Sequence, residues 1–396
     1  MALLAGCGGC QQVNAVQDLS KNAPAVPKDC GALSEEDASL LTAAAVRLLQ
    51  NSDTTENVLL SPLSVLCAIG MTANGAAANT EEQIAAALGM DIDTFNRCMG
   101  SWLQSQEGHE GLLAANSVWV NSGDMKVSDA FLQSVAGYYG ANIFQGAFST
   151  ETLGQMNGWV NEQTDGMIPE ILDILPENAV MYLLNALCFR RSWQEPYTTD
   201  KVHDGEFTAA DGKVQTVQMM SSKENLYLEN DAATGFIKPY EGGKYAFAAL
   251  LPAEGTTAND LIASLSGEGL ISLLTNAAAQ PVNVRMPKFS MEYDAELSGT
   301  LQAMGITDAF SPDAADFSDM GTASDNVYIS RVLHKTYISV NETGTEAAAA
   351  TAVEMMTKMM RPVRNQSVIL DRPFVYMIID TETNIPVFIG VMNEIP

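Results

Sequence analysis

Helix-like patterns fill the first part of this chain and strand-like patterns fill the second, with no regular alternation between the two. Apolar residues recur at helical spacing within 34–51, 63–71, 80–89, 128–139 and 156–164. Runs bounded by Gly, Pro and Asn read as strands at 57–60, 112–120, 179–189, 245–251, 282–289, 327–340, 374–380 and 386–391. Since a sheet of βαβ units needs alternation, the order predicts an α+β fold with mixed or antiparallel sheets.

Three of the helix starts carry capping signals. Ser34 precedes three acidic residues, and Ser61-Pro62 offers an N-cap followed by a first-turn proline. Thr80 with Gln83 three positions later has the form of a capping box, and Gly89 is placed to end that helix. The helix after Pro62 is apolar throughout, so we expect it to be buried.

The chain has no internal repeat and no interior linker, so we expect one domain over 31–396 after a flexible tail, 1–30. Its 396 residues are 47% hydrophobic and 17% charged, enough to bury a large core. The formal charge of −28 argues against nucleic acid and anionic membranes as partners. We infer no partner from that charge, because surface acidity also serves solubility.

The N-terminal residues resemble a lipoprotein cleavage site. Leu4-Ala-Gly-Cys7 has the small-residue pattern of such a site, with most of the preceding signal segment missing, and a polar linker-like stretch follows. We therefore expect a lipid on Cys7 and an extracellular or cell-surface location; a chance match is the alternative. The remaining sequence has no apolar run long enough to span a bilayer.

The other cysteines and the histidines give little support for a metal site. Cys67, Cys98 and Cys188 lie in apolar contexts and are predicted to be small buried hydrophobes. Cys7-Gly-Gly-Cys10 is a single pair, which we interpret as part of the anchor, and the three histidines are scattered. We expect neither a metal nor a cofactor.

A long segment between two strand runs, from Gly344 to Leu370, is the strongest functional signal. Loops of this length in compact domains are usually functional or disordered. At period two, one face of its first half carries uncharged residues, mostly small, and the other carries small residues with Glu346 and Glu354 at its ends. That pattern suits a strand that enters a sheet with one side buried. A short exposed helix is the competing interpretation, because alanine has the highest helix propensity.

At this segment the chain resembles the serpins, and the resemblance extends over nearly all of 31–396. The matching motifs are the hinge-like Glu342-Thr-Gly-Thr-Glu-Ala-Ala-Ala-Ala350, Asp371-Arg-Pro-Phe374, Pro386-Val-Phe-Ile-Gly390, Asn57-Val-Leu-Leu-Ser-Pro-Leu-Ser64, Ala115-Asn-Ser-Val-Trp-Val120 and Asn185-Ala-Leu-Cys-Phe189 with Trp193. The resemblance implies a serpin fold with a central sheet A, further sheets, about eight or nine helices and an exposed reactive-centre loop. The lipoprotein-like tail suggests a bacterial member.

The resemblance implies a suicide-substrate inhibitor of serine proteases that acts as a monomer. Trypsin-like and elastase-like enzymes are the expected targets, and cysteine proteases remain open as a further class. The implied hinge comprises Glu342, Gly344, Thr345, Glu346, Ala347, Ala348, Ala349 and Ala350. Its small residues favour an inhibitor over the alternative, a non-inhibitory serpin with a binding or chaperone-like role whose loop is only a substrate. The sequence also lacks the common hydrolase and nucleotide-binding motifs, so no enzyme is expected.

Two further groups of residues take their roles from the resemblance. Ser61, Ser64, Asn185 and His334 match the shutter, where polar side chains control the opening of the sheet. Trp193 matches the breach, at the end of the sheet where the loop enters. We expect His334 to be a buried hydrogen-bond partner, since that is also the commoner role of an isolated histidine.

The scissile bond is predicted from the usual distance between hinge and cleavage site. Counting from Glu342 leads to Lys358-Met359, which would suit trypsin-like proteases. The alternatives are Met356-Thr357 and the neighbouring Met355 and Met359, which would suit elastase-like or chymotrypsin-like enzymes, and Arg364-Asn365 if the register shifts. Arg361 is disfavoured because Pro362 follows it.

Overall fold

The structure is a computed structural model that describes residues 16–21, 29–121, 125–175, 179, 181–323, 326–345 and 366–396. Nine α-helices lie within these residues: α1 (Glu35–Gln50), α2 (Pro62–Ala73), α3 (Ala78–Leu88), α4 (Ile92–Ser105), α5 (Asp129–Tyr139), α6 (Thr150–Gln163), α7 (Ala258–Ser264), α8 (Gly267–Thr275) and α9 (Ser298–Ala303). Short 3-10 turns occur at Thr199–Lys201 and Asp308–Phe310. No helix in the described part of the chain has both the length and the apolar character that crossing a bilayer requires.

The first strands of the described chain are β1 (Gln17–Asp18), β2 (Val58–Leu60), β3 (Leu112–Asn121), β4 (Met125–Val127), β5 (Asn142–Gly146), β6 (Met181–Phe189), β7 (Arg191–Ser192), β8 (Val202–Thr208), β9 (Val214–Glu229) and β10 (Ala233–Pro239). The remainder are β11 (Tyr245–Pro252), β12 (Ala278–Pro287), β13 (Phe289–Glu296), β14 (Gly321–Ala323), β15 (Leu333–Val340), β16 (Gly344–Thr345), β17 (Gln366–Ile369), β18 (Phe374–Asp380) and β19 (Pro386–Met392).

These strands form one large sheet, two four-stranded sheets and a two-stranded ribbon. The large sheet has the order β17-β12-β9-β10-β11-β18-β19-β2, and β8 also pairs with β9. One four-stranded sheet has the order β1-β5-β3-β6, the other has the order β13-β15-β16-β7, and β14 pairs with β4. Strands of both orientations occur, since β3 runs parallel to β5 and antiparallel to β6.

Helix α2 lies at the centre of the molecule. Every one of its residues is buried, as its apolar sequence predicts, and it contacts both β6 and β19. Strands β11, β18 and β19 are buried along their whole length. An element buried on all sides needs no polar face, and this explains why these segments are continuous apolar runs.

Two of the three capping signals act differently from the prediction. Ser34 does form a capping box, with Asp37, but Ser61 makes no side-chain cap bond: its hydroxyl donates to the Val387 carbonyl at 3.2 Å. Helix α3 begins at Ala78, so the capping box predicted at Thr80 is wrong. The Thr80 hydroxyl instead accepts from the Asp316 N–H at 3.0 Å, because a distant segment packs against this helix start.

The N-terminal part differs from the predicted flexible tail in one stretch. Strand β1 pairs antiparallel with β5, and the Leu19 N–H donates to the Ile143 carbonyl at 2.7 Å. Cys30 is also buried, with its sulfur close to Gly100 of α4. Cys7 lies outside the described residues.

Cys98 is more than a small hydrophobe. It is buried as predicted, but its thiol donates to the Asp37 carboxylate at 3.3 Å. Arg97 donates two hydrogen bonds to the same carboxylate, and this bond is the main reason why the pKa of Asp37 lies well below its usual range. The cluster joins the start of α1 to α4.

Candidate functional site

The two four-stranded sheets meet where β6 lies beside β15. These strands are in contact, but no backbone ladder is recorded between them within the described residues. At one end of the seam, β16 pairs with β15 on one side and with β7 on the other. The seam is therefore closed at this end by the two residues that begin the predicted loop.

Gly344 is required here by close approach. A Cβ atom at this position would lie 2.2 Å from the carbonyl oxygen of Arg191, on the neighbouring strand β7. Any side chain would therefore push β16 away from β7. The resemblance places Gly344 in the hinge, and the structure adds this steric reason for glycine.

Thr345 is the last described residue before the loop, and its side chain has no solvent exposure. Its hydroxyl shares a hydrogen bond of 2.5 Å with the hydroxyl of Tyr240, which is equally buried. Burial raises the pKa of Tyr240, so the phenol stays protonated at neutral pH. Thr345 therefore lies on the inward face, where its parity in the sequence places it.

Trp193 holds the turn that leads into β16. Its ring stacks on Tyr240 with centroids 4.4 Å apart, and its indole N–H donates to the Asn341 carbonyl at 2.8 Å. The backbone N–H of Trp193 donates to the Thr343 carbonyl at 2.8 Å. The Asn341 side chain accepts from the N–H of Thr343 at 2.9 Å, so the turn is fixed from both sides.

A buried cation, the ammonium group of Lys238, lies beside Trp193 and a further aromatic residue, Tyr197. The Lys238 ammonium is 4.6 Å from the ring centroid of Tyr197 and 5.3 Å from that of Trp193, within cation–π range. It also forms an ion pair with Glu224 at 2.9 Å and donates to the Glu195 carbonyl at 3.1 Å. The charge is thus fully compensated although its side chain is only 2% exposed.

Glu342 forms an ion pair at the edge of the same region. Its carboxylate accepts from Lys288 at 2.6 Å, and both side chains are about one-third exposed. Burial is the largest single influence and opposes ionisation of Glu342, but the hydrogen bond and charge of Lys288, together with a backbone hydrogen bond, outweigh it and the pKa is lowered. The carboxylate therefore stays charged at neutral pH and holds the first residue of the predicted hinge near the start of β13.

The predicted shutter residues Ser61 and His334 are in direct contact. The backbone N–H of Ser61 donates to Nε2 of His334 at 3.1 Å, and the ring is 2% exposed. Burial lowers the pKa of His334 to about 4, so the imidazole is neutral and carries its proton on Nδ1. The bond joins β15 to the start of α2, as expected for a buried histidine that serves as a hydrogen-bond partner.

Ser64 lies close to this pair, beside a cavity of about 10 Å³ that it lines together with His334. Its buried hydroxyl has no hydrogen-bond partner among the described residues. The backbone of Asn185 lies in β6, opposite Asn116 of β3, and its side chain lies outside the described part. The structure thus brings three of the four predicted shutter residues close together: Ser61 bonds His334, and Ser64 lines the same small cavity as His334.

Several predicted site residues cannot be placed in this way. Glu346 and Ala347 to Ala350 of the hinge lie outside the described residues, as do Met356, Thr357, Lys358, Met359, Arg364 and Asn365 of the predicted cleavage sites. Their roles stay predictions. Within the described chain, no group of three or more His, Cys, Asp or Glu side chains could hold a metal ion.

Sequence reasoning missed Tyr240, Lys238, Asn341 and Lys288. A signal existed for Lys238, which shares strand parity with the buried Phe236 in an apolar run. The other three are recognisable only once the strands that carry them are known to meet at the turn.

Comparison with known proteins agrees with this architecture. The family model described as Serpin (serine protease inhibitor) matches residues 38–395. The leukocyte elastase inhibitor of Equus caballus is 31% identical, over 84% of this chain and 91% of the relative. The crystal structure of the thermophilic serpin tengpin in the native state superposes with a TM-score of 0.91 at 40% identity, covering 96% of this chain and all of tengpin.

The same relative in the latent state superposes less closely, with a TM-score of 0.81 at 40% identity over 92% of this chain. The helices and mixed sheets of the described residues correspond to the predicted α+β fold, which these neighbours confirm. Since the family model and the relatives extend over most of the sequence, the chain belongs to the serpin family of serine protease inhibitors.

Proposed function

We propose that this serpin inhibits serine proteases as a suicide substrate. The protease serine attacks the scissile carbonyl carbon, the peptide C–N bond breaks, and the new amino terminus leaves with a proton. The ester that remains would be hydrolysed by water in an ordinary substrate. In this chain, the released loop inserts between β6 and β15 before hydrolysis is complete.

The observation that carries this proposal is the position of β16. Gly344 and Thr345 already pair with strands on both sides of the seam, so the loop that follows starts at the point where a new strand would enter. Continued at period two from the buried Thr345, the inward positions are Ala347 and Ala349. Uncharged small side chains can be buried there at little cost.

We further propose Lys358-Met359 as the bond that is cleaved, with trypsin-like proteases as targets. The support is the distance along the sequence from Glu342. Met356-Thr357 would bait elastase-like enzymes, an alternative favoured by the likeness to a leukocyte elastase inhibitor. Arg364-Asn365 is the remaining alternative.

We propose an extracellular or cell-surface location, with a lipid on Cys7. The support is the Leu-Ala-Gly-Cys pattern at 4–7. Mass spectrometry of the protein isolated from its own cells tests this, since a lipid would add the mass of its acyl chains to an N-terminal peptide beginning at Cys7. An unmodified Cys7 would contradict it.

The test of inhibition is to mix the purified protein with trypsin and, separately, with pancreatic elastase. We expect a covalent complex that survives SDS gel electrophoresis, and a released fragment that begins at Met359 when its mass is measured. A different fragment would move the cleavage site without affecting the mechanism. Clean cleavage with both proteases still active would contradict inhibition and favour a non-inhibitory serpin.

A matched pair of variants separates cleavage from insertion. Thr345→Arg places a charge on the inward face, so we expect cleavage without a stable complex. Glu346→Arg introduces the same side chain one residue later, on the outward face, and should retain most of the complex. Equal inhibition by both variants would contradict insertion from this hinge.

A further inference from the structure

A cavity of about 290 Å³ lies away from the hinge, between the end of α4, the end of α5, strands β3 and β5, and helix α6. Its position is independent of the seam, because neither β15 nor β16 borders it. The volume is close to the lower limit of ordinary small-ligand sites. It has room for roughly ten water-sized groups of about 30 Å³ each, which corresponds to one sugar ring with its hydroxyls.

The lining of this cavity is rich in neutral hydrogen-bonding groups. Carboxamides come from four different elements: Gln104 of α4, Asn116 of β3, Asn142 of β5 and Gln163 of α6. A carboxamide has two N–H donors and an acceptor oxygen, so Gln104, which donates to Cys30 at 3.9 Å, and Asn142, which donates to Ser20 at 3.4 Å, can each form further bonds. Groups that donate and accept at the same place match hydroxyl groups, which do the same.

Aromatic residues complete the lining, among them the buried Tyr139. Tyr138 of α5 and Trp159 of α6 are both half-buried. Trp159 is held by an edge-to-face contact with Phe144, whose centroid lies 5.9 Å away. An amphipathic ring can pack against the C–H face of a sugar while its polar atom stays hydrogen-bonded. Burial raises the pKa of Tyr138, so its hydroxyl remains a donor at neutral pH.

The charged residues around the cavity favour neutral ligands over anionic ones. No lysine or arginine occurs among the described residues that line it, and Glu107 contributes a carboxylate at its rim. The protein as a whole carries a formal charge of −28. An anionic ligand would therefore be repelled.

We propose that this cavity is a binding site for a neutral polyhydroxylated ligand, with a single sugar unit as its chemical class. The carboxamides of α4, β3 and β5 would bond the hydroxyl groups, and Trp159 would cover one face of the ring. The proposal does not depend on protease inhibition, since it concerns a cavity that the hinge does not border.

The test uses saturation-transfer difference NMR on the full-length, uncleaved protein without any protease. D-glucose and N-acetyl-D-glucosamine are titrated separately, and D-glucose 6-phosphate serves as the charged probe. We expect saturable binding of at least one neutral sugar and weaker binding of the phosphate. Absence of saturable binding for both neutral sugars, or tighter binding of the phosphate, would overturn the proposal.

Variants assign any signal to this cavity. Asn142→Ala and Trp159→Leu should each weaken sugar binding at least tenfold, with thermal melts used to verify folding. Glu107→Ala, at an exposed rim position, offers a variant that should fold normally and weaken binding about threefold. Gln155→Ala lies one turn earlier on α6 and borders the neighbouring cavity, so it should bind like the unaltered protein. Equal binding by every variant would place the sugar elsewhere and refute the site.

Discussion

Lys238 shows how a single residue can support the hinge without contacting the loop. Its charge is buried between Trp193 and Tyr197 and is paired with Glu224, whose side chain is 9% exposed. Trp193 in turn stacks on Tyr240, which bonds Thr345. The cation is therefore linked through three successive contacts to Thr345, the residue that starts the loop.

Removing one partner of this pair should cost more than removing both. Lys238→Ala leaves Glu224 buried without a counter-charge, and we expect a loss of about 3–5 kcal/mol. Lys238→Met combined with Glu224→Leu should lose far less, since no buried charge remains. Guanidinium unfolding midpoints compare the two. Equal losses would show that the charges themselves contribute little and that shape alone matters.

His334 should make stability depend on pH. The unfolded imidazole has a pKa near 6.5, while burial lowers the pKa in the folded protein to about 4. Between these values the unfolded chain binds a proton that the folded protein excludes, so stability is complete above pH 6.5 and falls as the pH drops to about 4. The difference corresponds to about 3 kcal/mol.

The carboxylates with lowered pKa values, among them Asp37, Glu342 and Glu382, lose their contribution only below their usual pKa values of 3.8 for Asp and 4.5 for Glu. The window from pH 4.5 to 6.5 therefore reports mainly on His334. Unfolding midpoints across this window should fall with acid for the unaltered protein and for His203→Gln, an exposed control. A slope that survives in His334→Gln would contradict the assignment.

At the scale of elements, β16 is among the shortest described strands, yet it connects two sheet segments. It joins β15 to β7 through only two residues. Gly344→Ala would bring a Cβ atom to 2.2 Å from the Arg191 carbonyl, a backbone atom that cannot move aside by rotation. We expect β16 to separate from β7.

Hydrogen exchange measures this separation. The amides of Gly344, Thr345 and Trp193 should exchange at least tenfold faster in Gly344→Ala than in the unaltered protein. Gly154→Ala in α6, where a Cβ meets nothing within 4 Å, serves as the control. Unchanged protection in Gly344→Ala would mean that the strand adapts and that glycine is not needed for the pairing.

The elements that the sequence predicts best are those whose environment is uniform. Helix α2 and strands β18 and β19 are buried on all sides, so their apolar runs suffice to place them. The predicted strand 282–289 is wrong in its continuity, because the chain changes sheets at Lys288, between β12 and β13. The predicted strand 327–340 begins only at Leu333.

Helix α4 carried a usable signal that the prediction did not exploit. Phe95, Cys98, Met99 and Trp102 have the spacing of one buried helix face, and all four are buried. By contrast, β1 and β16 have only two residues each. Strands this short exist because a partner strand is already in place, so local sequence does not reveal them.

At the scale of the whole molecule, the resemblance to serpins predicts which segments of the chain form the hinge and the shutter. It did not identify what those residues touch. Tyr240 and Lys288 come from β-rich segments far from residue 345 in the sequence, and only the assembled sheets bring them to the turn. Contacts of this kind follow from topology, which no short motif specifies.

The division of the central strands into two sheets leads to the last prediction, for the proposed loop insertion. A strand placed between β6 and β15 would form backbone bonds to both, each contributing about 0.5–1.5 kcal/mol. These contributions add up over some dozen residues. We therefore expect cleavage of the loop to raise the melting temperature markedly. The intact protein would be kinetically trapped in its less stable state. Calorimetry before and after a limited nick with elastase measures the change, and Ala347→Arg should show little or none because insertion would have to bury its charge. If the nicked protein melted no higher than the intact one, the seam would not be an entry site, and β16 would be only the end of an ordinary sheet.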